Sequence, residues 1–253
     1  MKIGFLGTAA AISTATRDNT ALVFKTKDLI LIDCPGNVCG KLKSMGFDPM
    51  NVNHVVITHG HVDHIYGLSS LVEMLRLMGR KEELKIYVGE DFVEMVKGII
   101  CLFRLLDHQE AFPVVIEPIP YRPGYNVELN SAVVSFMPVK HTLRNLAVRL
   151  EYEGISVTYS SDTEPLEELG DFSRGSKALI HEATRSYRLN GPLSGHSCAG
   201  DAGKIAKRAG VEMLYLVHIG DFEEHELSTL IEEAAEHFEG QIIIPNDLEV
   251  VEL

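Results

Sequence analysis

Short apolar runs rich in β-branched residues alternate along this chain with longer segments in which apolar residues recur every three or four positions. The first pattern is typical of buried strands, and the second is typical of helices that pack on one face. In the first half of the chain the strands are predicted at 2–6, 21–25, 29–33, 54–58, 85–88 and 114–116, and the helices at 38–45, 68–78 and 91–106. This alternation indicates an α/β protein.

The same alternation starts again after a stiff connection with several prolines between positions 113 and 123. Its strands are predicted at 132–137, 146–152, 155–160, 178–184 and 214–218, its helices at 199–209 and 224–238, and two closing strands of the second sheet at 241–244 and 248–253. We therefore expect one domain built from two halves, about 1–125 and 126–253. Each half contributes a mixed sheet, and the sheets pack face to face with helices outside.

Four candidate metal ligands follow the apolar run at 54–58 directly, within His59-Gly60-His61-Val62-Asp63-His64. In an extended chain alternate side chains point to one face, so His59, His61 and Asp63 are expected on the same side. A turn at His64 would let it face a second centre together with Asp63. Imidazole and carboxylate groups are ligands for zinc, and also for manganese or iron. The spacing therefore predicts a metal centre.

Other ligand types also lie where predicted strands end. His141 follows the strand at 132–137, Asp162 follows a predicted hairpin, and His218 ends the strand at 214–218. Taken alone, His141 is a loop histidine, and Asp162 could cap a helix that starts near 164–165. Ser197 is a candidate cap for the helix at 199–209.

Composition limits the classes of partner and the cellular compartment that this chain is expected to have. The chain has 253 residues, 45% of them hydrophobic, which is enough for one large core. A formal charge of -13 disfavours a nucleic-acid binder, which is expected to carry a basic patch. Four cysteines without a C-x-x-C pair fit a reducing cytoplasm. No apolar run approaches the ~20 residues that span a bilayer, so no membrane partner is expected.

The motifs resemble a known family. The heptapeptide 58–64 is similar to the T-H-x-H-x-D-H signature of the metallo-β-lactamase superfamily. H-E-A-T at 181–184 and G-H-S at 195–197 resemble its ribonuclease Z-like branch of phosphodiesterases, and S-S-D-T at 160–163 matches the S-G-D-T pattern of that branch except for one serine. The resemblance implies an αββα sandwich fold.

Carried over by position, the resemblance implies two zinc ions, with Mn²⁺ or Fe²⁺ as alternatives, and a bridging hydroxide. One ion would be held by His59, His61 and His141 and the other by Asp63, His64 and His218, with Asp162 shared between them. The resemblance also implies that His196 faces the scissile phosphate and is oriented by Glu182. Asp63, His196 and Glu182 are thus the expected catalytic residues.

These residues favour hydrolysis of phosphodiesters by a dinuclear-zinc enzyme. The alternatives are a tRNA 3′ processing endoribonuclease, an iron-dependent oxidoreductase on the same fold, and a metal-bearing interaction protein without activity. Ribonuclease Z carries its tRNA-gripping arm between the ligands that match His141 and Asp162, where this chain has room only for a hairpin. The missing arm and the acidic charge favour a small phosphodiester or nucleotide as substrate over RNA.

The predicted helix at 91–106 has a longer apolar stripe than one sheet requires. Core packing, a wall of the substrate cleft and a subunit interface all account for such a stripe. The last of these invites a homodimer.

Overall fold

The computed structural model of the protein describes residues 1–130 and 132–253. In chain order the strands are β1 (Lys2–Gly7), β2 (Ala21–Lys25), β3 (Leu29–Ile32), β4 (Val52–Ile57), β5 (Leu84–Gly89), β6 (Val114–Ile119), β7 (Tyr125–Leu129), β8 (Ala132–Val139), β9 (Asn145–Tyr152), β10 (Ile155–Tyr159), β11 (Ala178–Glu182), β12 (Met213–Val217), β13 (Gln241–Ile243) and β14 (Val250–Glu252). The helices are α1 (Val38–Ser44), α2 (Val62–Ile65), α3 (Leu68–Leu77), α4 (Val93–Leu102), α5 (Glu167–Phe172), α6 (Ala199–Ala209) and α7 (Leu227–Ala235).

The strands form two seven-stranded mixed sheets. The first has the order β14-β1-β2-β3-β4-β5-β6, and the second has the order β13-β12-β11-β10-β9-β8-β7. In the first sheet β3 to β6 are parallel neighbours, and in the second β10 to β13 are. Most of the predicted ligands follow the carboxyl ends of these parallel strands, which is where open α/β sheets commonly place their sites. His141 is the exception, since it follows β8, which pairs antiparallel with β7 and β9.

Three layers of apolar packing confirm the predicted sandwich. Between the sheets, Phe5 of β1 contacts Tyr215 of β12 with ring centroids 5.3 Å apart. On the outer face of the first sheet, buried leucines of α1 and α3 pack against strand residues such as Val55. On the outer face of the second sheet, the alanine-rich side of α6 packs against Leu214 and Leu216. Helices therefore cover both outer faces of the two packed sheets.

One predicted strand belongs to the other sheet. The pattern at 248–253 was expected to close the second sheet, but β14 pairs antiparallel with β1 at the edge of the first, with Val251 opposite Ile3. Leu248 has a φ of 66° and donates its N–H to the carbonyl of Phe5, which turns the chain back along β1. The expectation was wrong because alternation marks a strand without identifying its neighbour.

The long helix predicted at 91–106 is also interrupted. It consists of a 3₁₀ turn at Glu90–Phe92, helix α4, and a second 3₁₀ turn at Leu105–Asp107, because Arg104 adopts a left-handed φ of 55°. Leu102 and Phe103 at the break are 75% and 62% exposed. All four cysteines are free. None of the helices in the described ranges has the length and apolarity to cross a membrane.

Candidate metal centre

The loop after β4 brings the first four candidate ligands together. Thr58 follows the strand, His59 is fully buried, and His61 precedes the short helix α2 with an extended φ of -69° and ψ of 149°. Asp63 and His64 lie on α2 itself. The predicted extended path through Asp63 is therefore wrong, because the turn begins at Val62. The helical turn nevertheless sends Asp63 and His64 to a second group of side chains, as expected.

The first group of donor atoms joins the loop to the second half of the chain. His61 Nδ1 lies 2.9 Å from His59 Nε2 and 3.0 Å from His141 Nε2. Asp162 Oδ2 lies 3.7 Å from His59 Nε2 and 3.8 Å from His141 Nε2. One ligand atom from each of these four residues lies within 4.8 Å of the others, which is a spacing that a single cation could bridge.

The second group contains Asp63, His64 and His218. Asp63 Oδ2 lies 3.4 Å from His64 Nε2 and 3.5 Å from His218 Nε2. Asp162 Oδ2 also lies 3.4 Å from His64 Nε2 and 3.3 Å from His218 Nε2. Asp162 thus faces both groups, in the position of a shared ligand, and it does not cap a helix because α5 begins only at Glu167.

The other ring nitrogens of these histidines have protein partners that fix the ring orientation. His141 Nδ1 donates to the carbonyl of Gly195 over 2.6 Å, and Gly195 approaches so closely because its φ of 88° suits a residue without a side chain. The Nδ1 atoms of three further histidines are paired as follows: His59 with Thr58 Oγ1 at 3.1 Å, His64 with Asp33 Oδ2 at 2.7 Å, and His218 with Thr184 Oγ1 at 2.8 Å. This arrangement leaves Nε2 of these four rings as the candidate coordinating atom, whereas His61 presents its Nδ1 to the group.

The donor set fits a pair of divalent cations. His64 Nε2, His218 Nε2 and Asp162 Oδ1 are buried and have no hydrogen-bond partner among the described residues. Burial, reinforced by the neighbouring His64, holds the pKa of His59 well below its usual range, so this imidazole is neutral as coordination requires. Burial would also lower the pKa of His64, but the carboxylates of Asp162 and Asp33 outweigh it and raise that pKa. A field that favours a proton there favours a cation.

Asp33 lies directly beneath the candidate ligand His64, whereas the sequence pattern indicated only a turn at this position. It follows β3, is fully buried, and has a φ of 62°. Its carboxylate accepts hydrogen bonds from the Thr58 amide at 2.8 Å, from the Thr58 hydroxyl at 3.0 Å and from His64. The sequence does contain a signal for a role of Asp33 in the site, because it directly follows a fully apolar strand and such positions often carry function.

Glu182 and His196 lie beside the second group. Glu182 is fully buried; its Oε1 accepts from the Thr163 amide at 2.7 Å and pairs with His196 Nδ1 at 3.0 Å, while Oε2 accepts from the Thr184 hydroxyl at 2.7 Å. Burial alone would lower the pKa of His196, but the hydrogen bond and charge of Glu182 raise it overall. Ser197 was expected to cap α6, but it donates to the carbonyl of Thr163 and fixes this loop. Cys198 is the residue that caps the helix.

An open cleft of about 550 Å³ gives access to the centre. Its floor includes His61, Asp63, Asp162, His196 and His218. All nine residues that were predicted for the site therefore surround one cleft or lie directly beneath it.

Comparison with known proteins gives matches over nearly the whole chain. The model of the family described as anti-Pycsar protein Apyc1 matches residues 1–232. Ribonuclease Z of Methanococcus maripaludis is 30% identical over 311 aligned positions, covering 98% of this chain and 96% of the relative. The metallo-β-lactamase fold protein YhfI from Bacillus subtilis superposes with a TM-score of 0.82 at 24% identity, covering 99% and 98% of the two chains. The short form of human tRNase Z superposes with a TM-score of 0.80 at 20% identity, covering 100% and 99%.

Proposed function

Because the chain belongs to the family of anti-Pycsar protein Apyc1, within the ribonuclease Z-like branch of the metallo-β-lactamase superfamily, we propose that it is a dinuclear-zinc phosphodiesterase for small substrates. The chain is a metal-dependent hydrolase. The observation that carries the phosphodiester assignment is the pair of Glu182 and His196 at the edge of the converging donor atoms. A lactonase or a β-lactamase would not require this pair.

The two groups of donor atoms would hold two cations. His59, His61 and His141 would bind one, Asp63, His64 and His218 would bind the other, and Asp162 would be shared. When bound, two divalent cations supply a hydroxide nucleophile at neutral pH and polarise the phosphoryl oxygens. Imidazole and carboxylate donors suit zinc, and manganese or iron accept the same set.

His196 provides the proton for the leaving group. Glu182 holds its Nδ1, so Nε2 is the atom that faces the cleft, and the hydrogen bond and charge of Glu182 outweigh burial and raise the pKa of the ring, which favours its protonated form. Donation from Nε2 neutralises the alkoxide that departs from phosphorus. His196 is held in place by stacking on His218, with ring centroids 5.5 Å apart and planes inclined by 15°.

Asp63 remains a carboxylate throughout. Burial opposes this, but hydrogen bonding to His218 and His64 outweighs burial and lowers the pKa of Asp63 far below its usual range. Asp63 therefore serves as an anionic ligand and as a hydrogen-bond acceptor that orients the attacking nucleophile, without taking up its proton.

A small diester fits this cleft better than tRNA does. The segment between His141 and Asp162 is occupied by the β9–β10 hairpin, which leaves no residues for an arm. The alignment with the Methanococcus enzyme runs over 311 positions whereas this chain has 253 residues, so that relative contains residues without a counterpart here. A net charge of -13 also weakens the counterion-release contribution on which RNA affinity depends.

A second copy of the chain is the proposed partner, in the cytoplasm. Leu102 at the end of α4, Phe103 after it and Leu106 in the following 3₁₀ turn are all exposed, and exposed apolar residues of this kind are characteristic of subunit contacts. If the protein is a dimer, sedimentation experiments should give a mass twice that of the 28.0 kDa chain.

The test is cleavage of bis(p-nitrophenyl) phosphate by zinc-loaded protein, beside a tRNA precursor. We expect hydrolysis of the small diester that chelation abolishes, and little or no cleavage of the precursor. His196→Ala should lower kcat by about 100-fold or more with the zinc content unchanged, whereas His225→Ala, an exposed histidine outside the cleft, should behave like wild type. An unaltered rate in His196→Ala contradicts the proposed role, and efficient precursor cleavage favours the endoribonuclease. Iron in place of zinc, together with oxygen-dependent activity, would favour the oxidoreductase.

A further inference from the structure

One wall of the cleft is the loop between β11 and α6, residues 185–193, which we call the cleft-wall loop. Three of its side chains line the cleft: Arg185, Asn190 and Leu193. The loop is closed on itself, because the amide of Gly191 donates to the carbonyl of Ser186 at 2.7 Å and Arg185 Nε donates to the carbonyl of Gly191 at 2.8 Å. Its position in the cleft therefore depends on the contacts that attach it to the rest of the chain.

A buried carboxylate on α7 makes such a contact. Glu233 is 3% exposed, and its Oε2 accepts from the Ser186 hydroxyl at 2.7 Å and from the Arg188 amide at 3.4 Å. Its Oε1 accepts from the amides of Tyr187 at 3.2 Å and Gly200 at 3.0 Å. Three of these donors begin the cleft-wall loop, and the fourth lies in the first turn of α6. One side chain of α7 thus joins the loop to α6.

The two helices lie close enough for this contact because α6 presents glycines to α7. A Cβ at Gly200 would lie 3.3 Å from Cγ of Glu233, and a Cβ at Gly203 would lie 2.3 Å from the carbonyl oxygen of Ala234. The amide of Gly200 is one of the free N–H groups at the start of a helix, where a negative charge is favoured. Hydrogen bonds of this kind offset the cost of burying the charge of Glu233.

The segment that follows the cleft-wall loop has its own anchors. The amide of Gly195 donates to Glu164 Oε1 at 3.0 Å, and Glu182 holds the ring of His196. Loosening the contacts of Glu233 therefore releases the wall of the cleft while His196 keeps its partner.

We propose that Glu233 is a positioning residue that holds the cleft-wall loop in the conformation that receives the substrate. This inference rests on the proposed phosphodiesterase function. When the loop is released, only the fraction of molecules with an ordered wall binds substrate well, and the apparent affinity falls by that fraction. The groups that react are unchanged once substrate is bound. Loss of Glu233 therefore raises KM and leaves kcat nearly unaltered.

Glu233→Gln tests this in zinc-loaded protein with bis(p-nitrophenyl) phosphate as substrate. In one orientation the new amide nitrogen faces the Ser186 hydroxyl, which already accepts from two backbone amides and would lose the acceptor for its own proton. In the other orientation it faces the amide donors of Tyr187 and Gly200. We expect KM to rise about 10-fold, as for one buried donor left without a partner, while kcat stays within about twofold.

Glu232→Gln is the matched control. Glu232 is the preceding residue of α7, but it is exposed and pairs with the guanidinium of Arg188 at the surface, so its loss should leave KM near the wild-type value. Ser186→Ala keeps the charge of Glu233 and removes one of its bonds, so it should raise KM about 3-fold. The effects of Ser186→Ala and Glu233→Gln should not add in the double variant, because both act on one contact.

Amide hydrogen exchange gives a second measurement that does not depend on activity. In Glu233→Gln and in Ser186→Ala the cleft-wall loop should exchange faster than in wild type, while residues 59–64 and the zinc content are unchanged. If Glu233→Gln does not fold, Ser186→Ala decides the question by the same two measurements.

Several results would overturn the role of Glu233. They are a KM in Glu233→Gln equal to that of Glu232→Gln, a fall in kcat without a rise in KM, or a raised KM without faster exchange in the cleft-wall loop. A lower thermal midpoint with unchanged KM would make Glu233 purely structural. If wild type does not hydrolyse the diester, the proposed function fails, whereas hydrogen exchange still decides whether Glu233 holds the loop.

Discussion

Asp33 offers a sharp test of how the centre is built, because replacing it by asparagine changes one atom beneath a ligand. The carboxylate is fully buried and accepts from His64 Nδ1 at 2.7 Å and from the amide of Thr58 at 2.8 Å. In Asp33→Asn the remaining oxygen can still accept from Thr58. The new amide nitrogen, however, meets the N–H of His64, so donor faces donor and the negative charge is lost.

The size of the effect follows from these contacts. Loss of a carboxylate behind a coordinating histidine typically weakens metal affinity by about 10- to 100-fold, which is roughly 1.4 to 2.7 kcal/mol. We expect this loss at the cation site that contains His64. The site that contains His59 and His141 is less affected, because those rings are oriented by Thr58 and Gly195.

The assay is a competition titration of metal-free protein with zinc and a chromophoric chelator, which resolves two binding steps. One step should weaken and the other should remain near its wild-type value. Asp28→Asn is the matched control, since Asp28 accepts from Asn53 at 2.9 Å outside the set of candidate ligands. Zinc affinities in Asp33→Asn within about twofold of the control at both steps would refute this account of how His64 is positioned.

Three other substitutions test the site and the packing of the fold. Glu182→Gln removes the charge that raises the pKa of His196. Because the protonated ring is lost as pH rises through that pKa, the alkaline limb of the kcat profile should move to lower pH. A limb that does not move in pH–rate measurements would contradict the role of Glu182. Gly67→Ala would place a Cβ 1.9 Å from the carbonyl oxygen of Pro35 and should lower the free energy of unfolding by about 1 to 3 kcal/mol. Gly98→Ala, whose Cβ would meet nothing within 4 Å, should raise it slightly, and thermal unfolding of the two variants checks both signs.

Much of the fold could be predicted from local patterns, because strands and helices differ in the period of their apolar residues. Helix α6 was expected at 199–209 and lies at Ala199–Ala209. The position of His59, Asp162 and His218 at strand ends was also expected from local pattern, and they follow β4, β10 and β12. Their convergence was expected only from the family resemblance, because β4 belongs to one sheet and β10 and β12 belong to the other.

Other features depended on contacts that no local pattern encodes. The pairing of β14 with β1 depends on which sheet edge is open when the chain returns, and the turn at Leu248 decides it. The importance of Asp33 depends on His64, which lies far along the chain and meets it only after β3 and β4 pair. A residue whose partner is distant in sequence gives no periodic signal, so its function emerges only with the fold.

The acidity of the protein is compatible with the proposed phosphodiester substrate if cations occupy the cleft. Asp63, Asp162 and Asp221 line a cleft in which Arg185 is the single basic side chain of the described residues other than histidine, within a chain of net charge -13. Without bound cations this cleft repels a phosphodiester, so substrate affinity depends on metal loading. The favourable field is then confined to the cleft, because screening in physiological salt limits its reach to about 8 Å. The proposed small phosphodiester would lie within that distance, whereas the flanking phosphates of a long RNA would extend beyond it, along a protein of net charge -13.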